Sequence, residues 1–451
     1  MAPSPGEAPT LPGVPILGNL PALQRSVVDL FVRAANELGD VVRLPVMSRN
    51  LYAIRAPDNV KYVLQDNHKN FNKQTLGYNA LRTVLGNGLV TSEGAFWLRQ
   101  RRIAQPAFHR QRIARFGDTM VRCANEMLEA WARRPNADAP LDVDHEMMAV
   151  TLRIVGLTLL SAEVSADAGV VERSLEELLR QVIHRATSMF AFPLSVPSPR
   201  NRRLLRARAA LDEVVVRLIS GRRHSGEDPG DLLSMLMSAR DEETGESMSD
   251  AQLRDEVMTI FLAGHETTAN ALTWTLYLLS RHPDVRRRYE AEVDAVLGGR
   301  SPTLEDLPKL GYGLQVLQES MRLFPPVYLL MRQVVEDDEI GGYRIPGGSF
   351  VAVSQYVCHR NPSVFENPEG FDPERFAPER AAQIPKFAYF PFGGGPRVCI
   401  GNNFALMEAQ LLLASIVQRF RLELVPGHPV AVDPTITLRP RHGMRMFVRP
   451  R

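Results

Sequence analysis

Residues 391–410 read PFGGGPRVCIGNNFALMEAQ. Gly393, Gly394 and Gly395 stand just ahead of Cys399, and helical spacing begins after Gly401. Glycine permits positive-φ turns and lets backbone approach something flat or bulky closely. A helix that starts behind a cysteine turns its free N–H groups and positive dipole end toward the sulfur. Such a setting favours a thiolate and tunes any metal it ligates. Read alone, the stretch fits a metal thiolate ligand, a nucleophilic cysteine, or an incidental cysteine in a glycine-rich turn. No histidine is close in sequence to assist a nucleophile.

The chain has only two other cysteines, Cys123 in DTMVRCANEMLEAW and Cys358 in FVAVSQYVCH. An odd, widely spread set without CxxC argues against a disulfide framework and against a structural zinc site. Cys123 has helical apolar spacing and Cys358 lies in a strand-like run, so both are expected to be buried small hydrophobes. With 451 residues, 45% hydrophobic and 23% charged, the chain can bury a large core. Its 53 Lys+Arg against 51 Asp+Glu give a formal charge of +2, without the basic excess of a nucleic-acid binder. The N-terminal MAPSPGEAPTLPGVPILGNL has neither a membrane-length apolar run nor the n- and h-regions of a secretory signal. A soluble, cytoplasmic protein away from membranes is the expectation.

Along the chain, GDVVRLPVMSRNLYAIRA reads as a hairpin, two β-rich runs separated by MSRN. From about Asp58 to Leu307 the pattern is mostly helical. Its longest run, SDAQLRDEVMTIFLAGHETTANALTWTLYLLSRHP, opens with a Ser249/Gln252 capping box and stops at Pro283. Pro-rich or polar breaks lie at FPLSVPSPRN and RDEETGES. After Pro325, short strand-like runs such as GGYRIPGGSFVAVSQYV alternate with Pro-rich coil. The helix NNFALMEAQLLLASIVQRF and the β-like TITLRPRHGMRMFV follow. The fold class is mostly α with small β-sheets (α+β). It reads as one domain over 1–451, whose β elements return to pack together.

Phe392, Gly395, Arg397, Cys399 and Gly401 together resemble the cysteine-ligand loop F-x-x-G-x-R-x-C-x-G of the cytochrome P-450 family. Further matches follow the family's order: AGHETT (Ala263–Thr268) is similar to its oxygen-activation segment, ESMR to its E-x-x-R helix, and FDPERF to its P-E-R-F segment. LPGVPILGNL resembles its N-terminal hinge. The resemblance spans essentially the whole chain. It implies a triangular, helix-rich domain, with haem b between the long central helix and the cysteine loop.

By that resemblance Cys399 is the thiolate ligand of the haem iron, which favours O–O cleavage. Phe392 packs beside the sulfur, Gly401 keeps its far side clear, and Arg397 reaches a haem propionate. Trp97 and Arg101, four apart in WLRQR, lie on one helix face and suit one propionate's carboxylate. Arg332 in LLMRQ matches another propionate ligand. Ala263 lies beside the haem, and Glu266 with Thr267 resembles the acid–alcohol pair that delivers protons to bound oxygen. Mid-helix Gly264 costs about 1 kcal/mol against Ala. Its use is to let the helix open for O₂, helped by a bond from Thr267 to the Ala263 carbonyl. His265 is expected to pack rather than to ligate. Glu319, Arg322 and Arg375 form the structural lock behind the cysteine loop.

The resemblance also implies a monooxygenase that uses O₂ and electrons from NAD(P)H. They would arrive through a separate ferredoxin and ferredoxin reductase, or a flavodoxin-type donor, since no reductase domain is fused. Arg99, Arg102, Arg110, Arg112 and Arg115 cluster near the Trp97 helix and suit an acidic donor, or form only a solvated face. The pocket is expected to involve Leu76, Tyr78, Ala263, Val327, Leu329, Ile436 and Thr437, mainly apolar as a lipophile requires. The wording of ESMRLFPPVY and FDPERF favours fatty acids and related lipophiles, with terpenoids, polyketides and steroids open. A monomer is expected. The rival readings are a peroxide-driven peroxygenase and a non-catalytic haem-thiolate sensor or carrier; neither needs Glu266 and Thr267.

Overall fold

A computed structural model describes residues 6–136, 138–159, 161, 168–188, 192–241 and 243–451. Its axis is the helix Asp250–Arg281, 32 residues and so about 48 Å long. The expected capping box forms: Ser249 Oγ accepts from the Gln252 N–H, and Gln252 Oε1 accepts from the Ser249 N–H. The helix ends at His282, just before Pro283. It is buried on nearly all sides, as expected of a helix apolar almost all round. Val143–Leu159, Pro199–Ser225, Gly311–Leu323 and Asn402–Arg419 pack against it. Midway along, Ala263, Gly264 and Thr267 alone break that burial as a group.

The hairpin forms between Val41–Val46 and Arg49–Ile54, with Val46 opposite Arg49. Its turn is therefore only Met47–Ser48, tighter than the MSRN separation expected. Arg49–Ile54 runs parallel to Phe350–Val353, which pairs antiparallel with Leu330–Val334 and that in turn with Phe71–Asn72. The β elements from the two ends of the chain do return to one sheet. A second sheet orders Leu141–Asp142, Arg445–Pro450 and Phe420–Leu424. Val432–Pro434 and Leu438–Pro440 make a separate hairpin against the central helix.

Cys358 departs from its strand assignment. It closes a short helix, Gln355–Cys358, because Ser354 Oγ captures the Val357 N–H and turns the chain out of the sheet. Cys123 and Cys358 are both buried, and burial raises both thiol pKa values, Cys123 to about 11. Among the described residues, no helix is long and apolar enough to cross a membrane.

Behind the sheet, Glu319 and Arg322 are fully buried on one turn of Gly311–Leu323 and pair through two hydrogen bonds of 2.7 and 2.8 Å. Arg322 also donates to the carbonyls of His359, Pro368 and Gly370. Arg375 Nε reaches Glu319 Oε1 at 3.3 Å, and the Asp372 N–H donates to the same oxygen. One carboxylate thus fastens a helix to the irregular segment that leads into the cysteine loop.

Candidate active site

The cysteine loop is shaped by what its glycines touch. Gly393 and Gly395 have φ of 72° and 65°. A Cβ on Gly395 would lie 1.9 Å from the Leu64 carbonyl oxygen, and one on Gly394 would strike the Phe387 ring. The close approach foreseen for these glycines is therefore to the protein's own backbone and an aromatic ring. Gly401 differs: its Cβ would meet only Phe108, at 3.8 Å.

The Cys399 N–H donates to the Phe392 carbonyl at 2.9 Å, closing the loop, and the helix Asn402–Arg419 starts just beyond Gly401. Cys399 is accessible, yet the surrounding protein is dense enough that burial pushes its thiol pKa up. The Gly401 N–H and the Arg101 charge pull the other way without prevailing. The helix terminus alone does not make the thiolate, against expectation; a coordinating metal does that outright.

Arg101 is half-buried and donates to the Val398 carbonyl at 2.9 Å, beside the sulfur. Its expected partner, Trp97, instead lies under the guanidinium of Arg397, 4.1 Å from ring centre to carbon. Arg397 pairs with Glu93 at 2.8 Å and donates to the Ser92 carbonyl. Arg332 lies in the strand Leu330–Val334, donating to the Met331 carbonyl and, at 3.4 Å, to the Tyr78 hydroxyl. Lys73, absent from the sequence reading, is buried, donates to the Val90 carbonyl and faces the Tyr78 ring.

These cations crowd one another. Burial, then Arg332 and Arg397, hold the Lys73 ammonium well below its usual range, and burial brings Arg397 to about 10. Glu93 is the one carboxylate among the main influences on either group. A cluster of desolvated cations with so little counter-charge suits a dianion, which the two propionates of haem b supply. The residues present fit that group. Tyr78, expected at the substrate, belongs to this cationic edge.

On the central helix, Thr267 Oγ1 donates to the Ala263 carbonyl at 2.6 Å, as foreseen. The helix nevertheless stays α-helical through Gly264, where a Cβ would lie 3.2 Å from Val155; the glycine also serves packing. His265 is buried and its pKa is lowered to about 4 by burial and Arg439, so it stays neutral and packs.

Glu266 is not a free acid facing the haem side. Its Oε1 accepts from Thr437 Oγ1 and pairs with Arg439 Nε, its side chain only 2% exposed. Thr437 in turn accepts from Asn270 at 2.9 Å. Thr437, expected at the pocket, thus holds Glu266 in this network. Ile436 does line a small apolar cavity with Leu81, Leu85, Leu178, Met258 and Leu262. Val327 and Leu329 are half-buried, whereas Leu76 is 63% exposed at a helix start.

The basic cluster also divides. Arg99 pairs with Glu246, and Arg102 with Asp241 and Glu243. Arg110 and Arg112 are exposed and, among the described residues, have no ion-pair partner. Their segment is held against the cysteine-loop helix, where Phe116 meets Phe404 edge-to-face.

The cytochrome P450 family model matches residues 9–445, and the chain belongs to that family. It is similar to cyclooctatin synthase of Streptomyces melanosporofaciens, at 39% identity over 97% of this chain and 95% of that one. Cyclooctat-9-en-7-ol 5-monooxygenase of the same organism is 38% identical, over 93% and 90%. Pentalenene oxygenase of Streptomyces avermitilis is 33% identical, over 94% of each. The protein is accordingly a P450 monooxygenase that uses a haem iron with a cysteine thiolate, and O₂.

Proposed function

We propose that the chain oxidises a neutral, olefinic hydrocarbon or its alcohol, of the terpenoid kind, in preference to a fatty acid. The observation that carries this is the similarity to relatives named for such substrates, and the aliphatic side chains and methionine around Ile436 and Leu262 agree with it, though they enclose space for only about one water. A carboxylate would bring a charge that nothing in that lining answers. The cations nearest the site, Lys73, Arg332 and Arg397, are assigned to the haem propionates. Relatives named for pentalenene and for cyclooctat-9-en-7-ol support the same class.

In this reading Cys399 holds the haem iron, with Phe392 and Arg101 framing the sulfur. When bound, the haem supplies activation of O₂ and insertion of one oxygen atom into the substrate. The chain's residues do the rest. Aliphatic walls exclude water and orient the hydrocarbon. Thr267 offers its hydroxyl on the open stretch beside Ala263, and Glu266 stands next in line as the acid that resupplies it. Electrons come from NAD(P)H through a separate ferredoxin and its reductase, docking at Arg110 and Arg112 beside the cysteine-loop helix. The protein works in the cytoplasm.

The test is a titration of the purified holoenzyme that follows the iron spin state. Cyclic alkenes and alkenols should shift it at lower concentration than fatty acids of equal carbon number. Tighter fatty-acid binding would restore the fatty-acid reading.

A further inference from the structure

Eight arginines and only two acids, Asp212 and Glu213, stand in the helix Pro199–Ser225, whereas the whole chain carries a formal charge of +2. The rest of the protein is therefore net acidic. The arginines divide along the helix. Toward its C-terminus, Arg208 pairs with Asp212, Arg222 with Asp231 and Arg223 with Asp250. Near its N-terminus Arg203 pairs loosely with Glu177, at 3.5 Å. Arg200, Arg202 and Arg206 are exposed and pair with no carboxylate among the described residues; Arg200 reaches the His184 ring instead, at 2.9 Å.

Apolar side chains share that end. Phe192 is 59% exposed, Val196 39% and Leu205 42%, and Leu205 shares one helix face with Arg202 and Arg206. The loop that carries Phe192 and Val196 is pinned. The buried Asn201 side chain donates to the carbonyls of Pro193 and Val196, both at 2.8 Å, and Arg185 donates to that of Phe192. Polar contacts thus fix a loop that shows its apolar side chains to solvent. Ordering them costs entropy that no burial within the molecule offsets.

We propose that this face docks on an anionic lipid bilayer, with Phe192 and Val196 in the headgroup layer and Arg200, Arg202 and Arg206 on the lipid phosphates. Basic residues interleaved with exposed aromatic and aliphatic ones make an interfacial surface. An acidic protein would be answered by the arginines alone, and the apolar groups beside them favour lipid. The net-acidic remainder is repelled by such a surface, which sets the orientation.

What lies beneath the face gives the contact a use. The helix packs on Ala168–Thr187, whose Leu175, Leu178 and Val182 line the apolar cavity with Ile436. His184, in contact with Arg200, is two residues from Val182. Arg208 donates to the Thr83 carbonyl at 3.1 Å, in the helix Leu76–Leu85 that supplies another wall. A hydrocarbon dissolved in the bilayer would then lie one helix layer from the cavity. That consequence rests on the hydrocarbon reading of the substrate; the docking surface does not.

The experiment floats the purified holoenzyme with vesicles of phosphatidylcholine, alone or with phosphatidylglycerol added. Binding should appear with phosphatidylglycerol, weaken with salt, and stay low on phosphatidylcholine alone. Each arginine near an anionic surface is worth about fivefold in partitioning, so Arg200→Gln, Arg202→Gln and Arg206→Gln together should lose about a hundredfold. Phe192→Ser with Val196→Ser should weaken binding and leave its salt dependence. Arg110→Gln with Arg112→Gln, exposed cations elsewhere, should bind vesicles as the wild type does. All these positions are exposed, and an unchanged Soret band of the reduced CO complex shows that each variant is folded. Equal binding to both vesicles, a triple variant that binds like the wild type, or an equal loss with Arg110 and Arg112 overturns the proposal. So does lipid-free self-association that the same variants abolish, which would make the face an interface between copies. If vesicles bind as expected but fatty acids win the spin-state titration, the substrate reading fails and the docking surface stands.

Discussion

Thr267 donates to a carbonyl of its own helix, so at rest its proton is committed and its lone pairs are open. In the proposed function a residue so placed guides protons without being needed to hold haem or substrate. Thr267→Ala should still bind both and still accept electrons, while NAD(P)H is consumed with peroxide replacing part of the product. Positioned proton transfer is commonly worth about 10²–10⁴ in rate. Water beside the open helix stretch will make up some of that loss. Product and peroxide assayed per NAD(P)H decide the matter; unchanged coupling in both Thr267→Ala and Glu266→Gln would move the peroxide-driven reading to first place. Cys399→Ala should abolish the thiolate-type Soret band of the reduced CO complex. Cys123→Ala and Cys358→Ala should leave the band intact, since both sulfurs are buried in apolar surroundings. A thiolate band surviving in Cys399→Ala would refute the ligand assignment.

At the scale of elements, the capping box, the central helix, the hairpin and the Glu319–Arg322–Arg375 lock were all legible. Each is written in residues a few positions apart, or in a motif of fixed spacing. What the sequence hid are partners that only the folded chain brings together: Lys73 and Glu93 beside Arg397, and Arg439 on Glu266. Arg439 sits in TLRPRHG with no periodicity to mark it. His359 is another such residue. Its ring Nε2 accepts from the Phe390 N–H at 3.0 Å and its carbonyl accepts from Arg322, which joins the lock to the cysteine loop. Burial lowers its pKa to about 3. A depressed histidine contributes stability that is present above its unfolded value and lost as pH falls toward the folded one, here from 6.5 toward about 3. His359→Ala leaves the Phe390 N–H unpaired, at about 1–3 kcal/mol. Its denaturation midpoint should drop and its haem should dissociate faster, which absorbance on transfer to apomyoglobin would follow. Wild-type retention of haem would separate the lock from the loop. The basic surface changes too: Arg110→Glu with Arg112→Glu should slow reduction by ferredoxin, and added salt should mimic this. Arg99 and Arg102 are already neutralised by their own ion pairs, so stopped-flow rates should respond less to their loss.

Over the whole molecule, two acids in the core carry protons they would not hold in water. Glu256 and Glu408 are both buried and raised from 4.5 to about 8. The Leu89 N–H donates to Glu256, whereas among the described residues neither oxygen of Glu408 completes a hydrogen bond, and the neighbouring Thr268 hydroxyl only partly offsets the burial. A raised acid binds its proton more tightly when folded. Its contribution is complete below 4.5 and is lost as pH rises toward about 8, at about 1.4 kcal/mol per pH unit. Glu408→Gln, which keeps the shape without the charge, should match the wild type in mild acid and exceed it in alkali. Urea midpoints that shift equally at both ends of the range would remove Glu408 as the source.

The sheet that joins the two ends of the chain also imposes an order on biogenesis. Leu51 must wait for Phe350, about 300 residues later, before its strand gains the parallel neighbour. At ordinary translation speeds that wait is roughly 15–60 s, with the hairpin's edge unpaired throughout. Arg332 and Cys399 emerge later still. A nascent chain stalled before the cysteine loop should capture no haem, so the cofactor arrives as the closing event of folding and not as its seed.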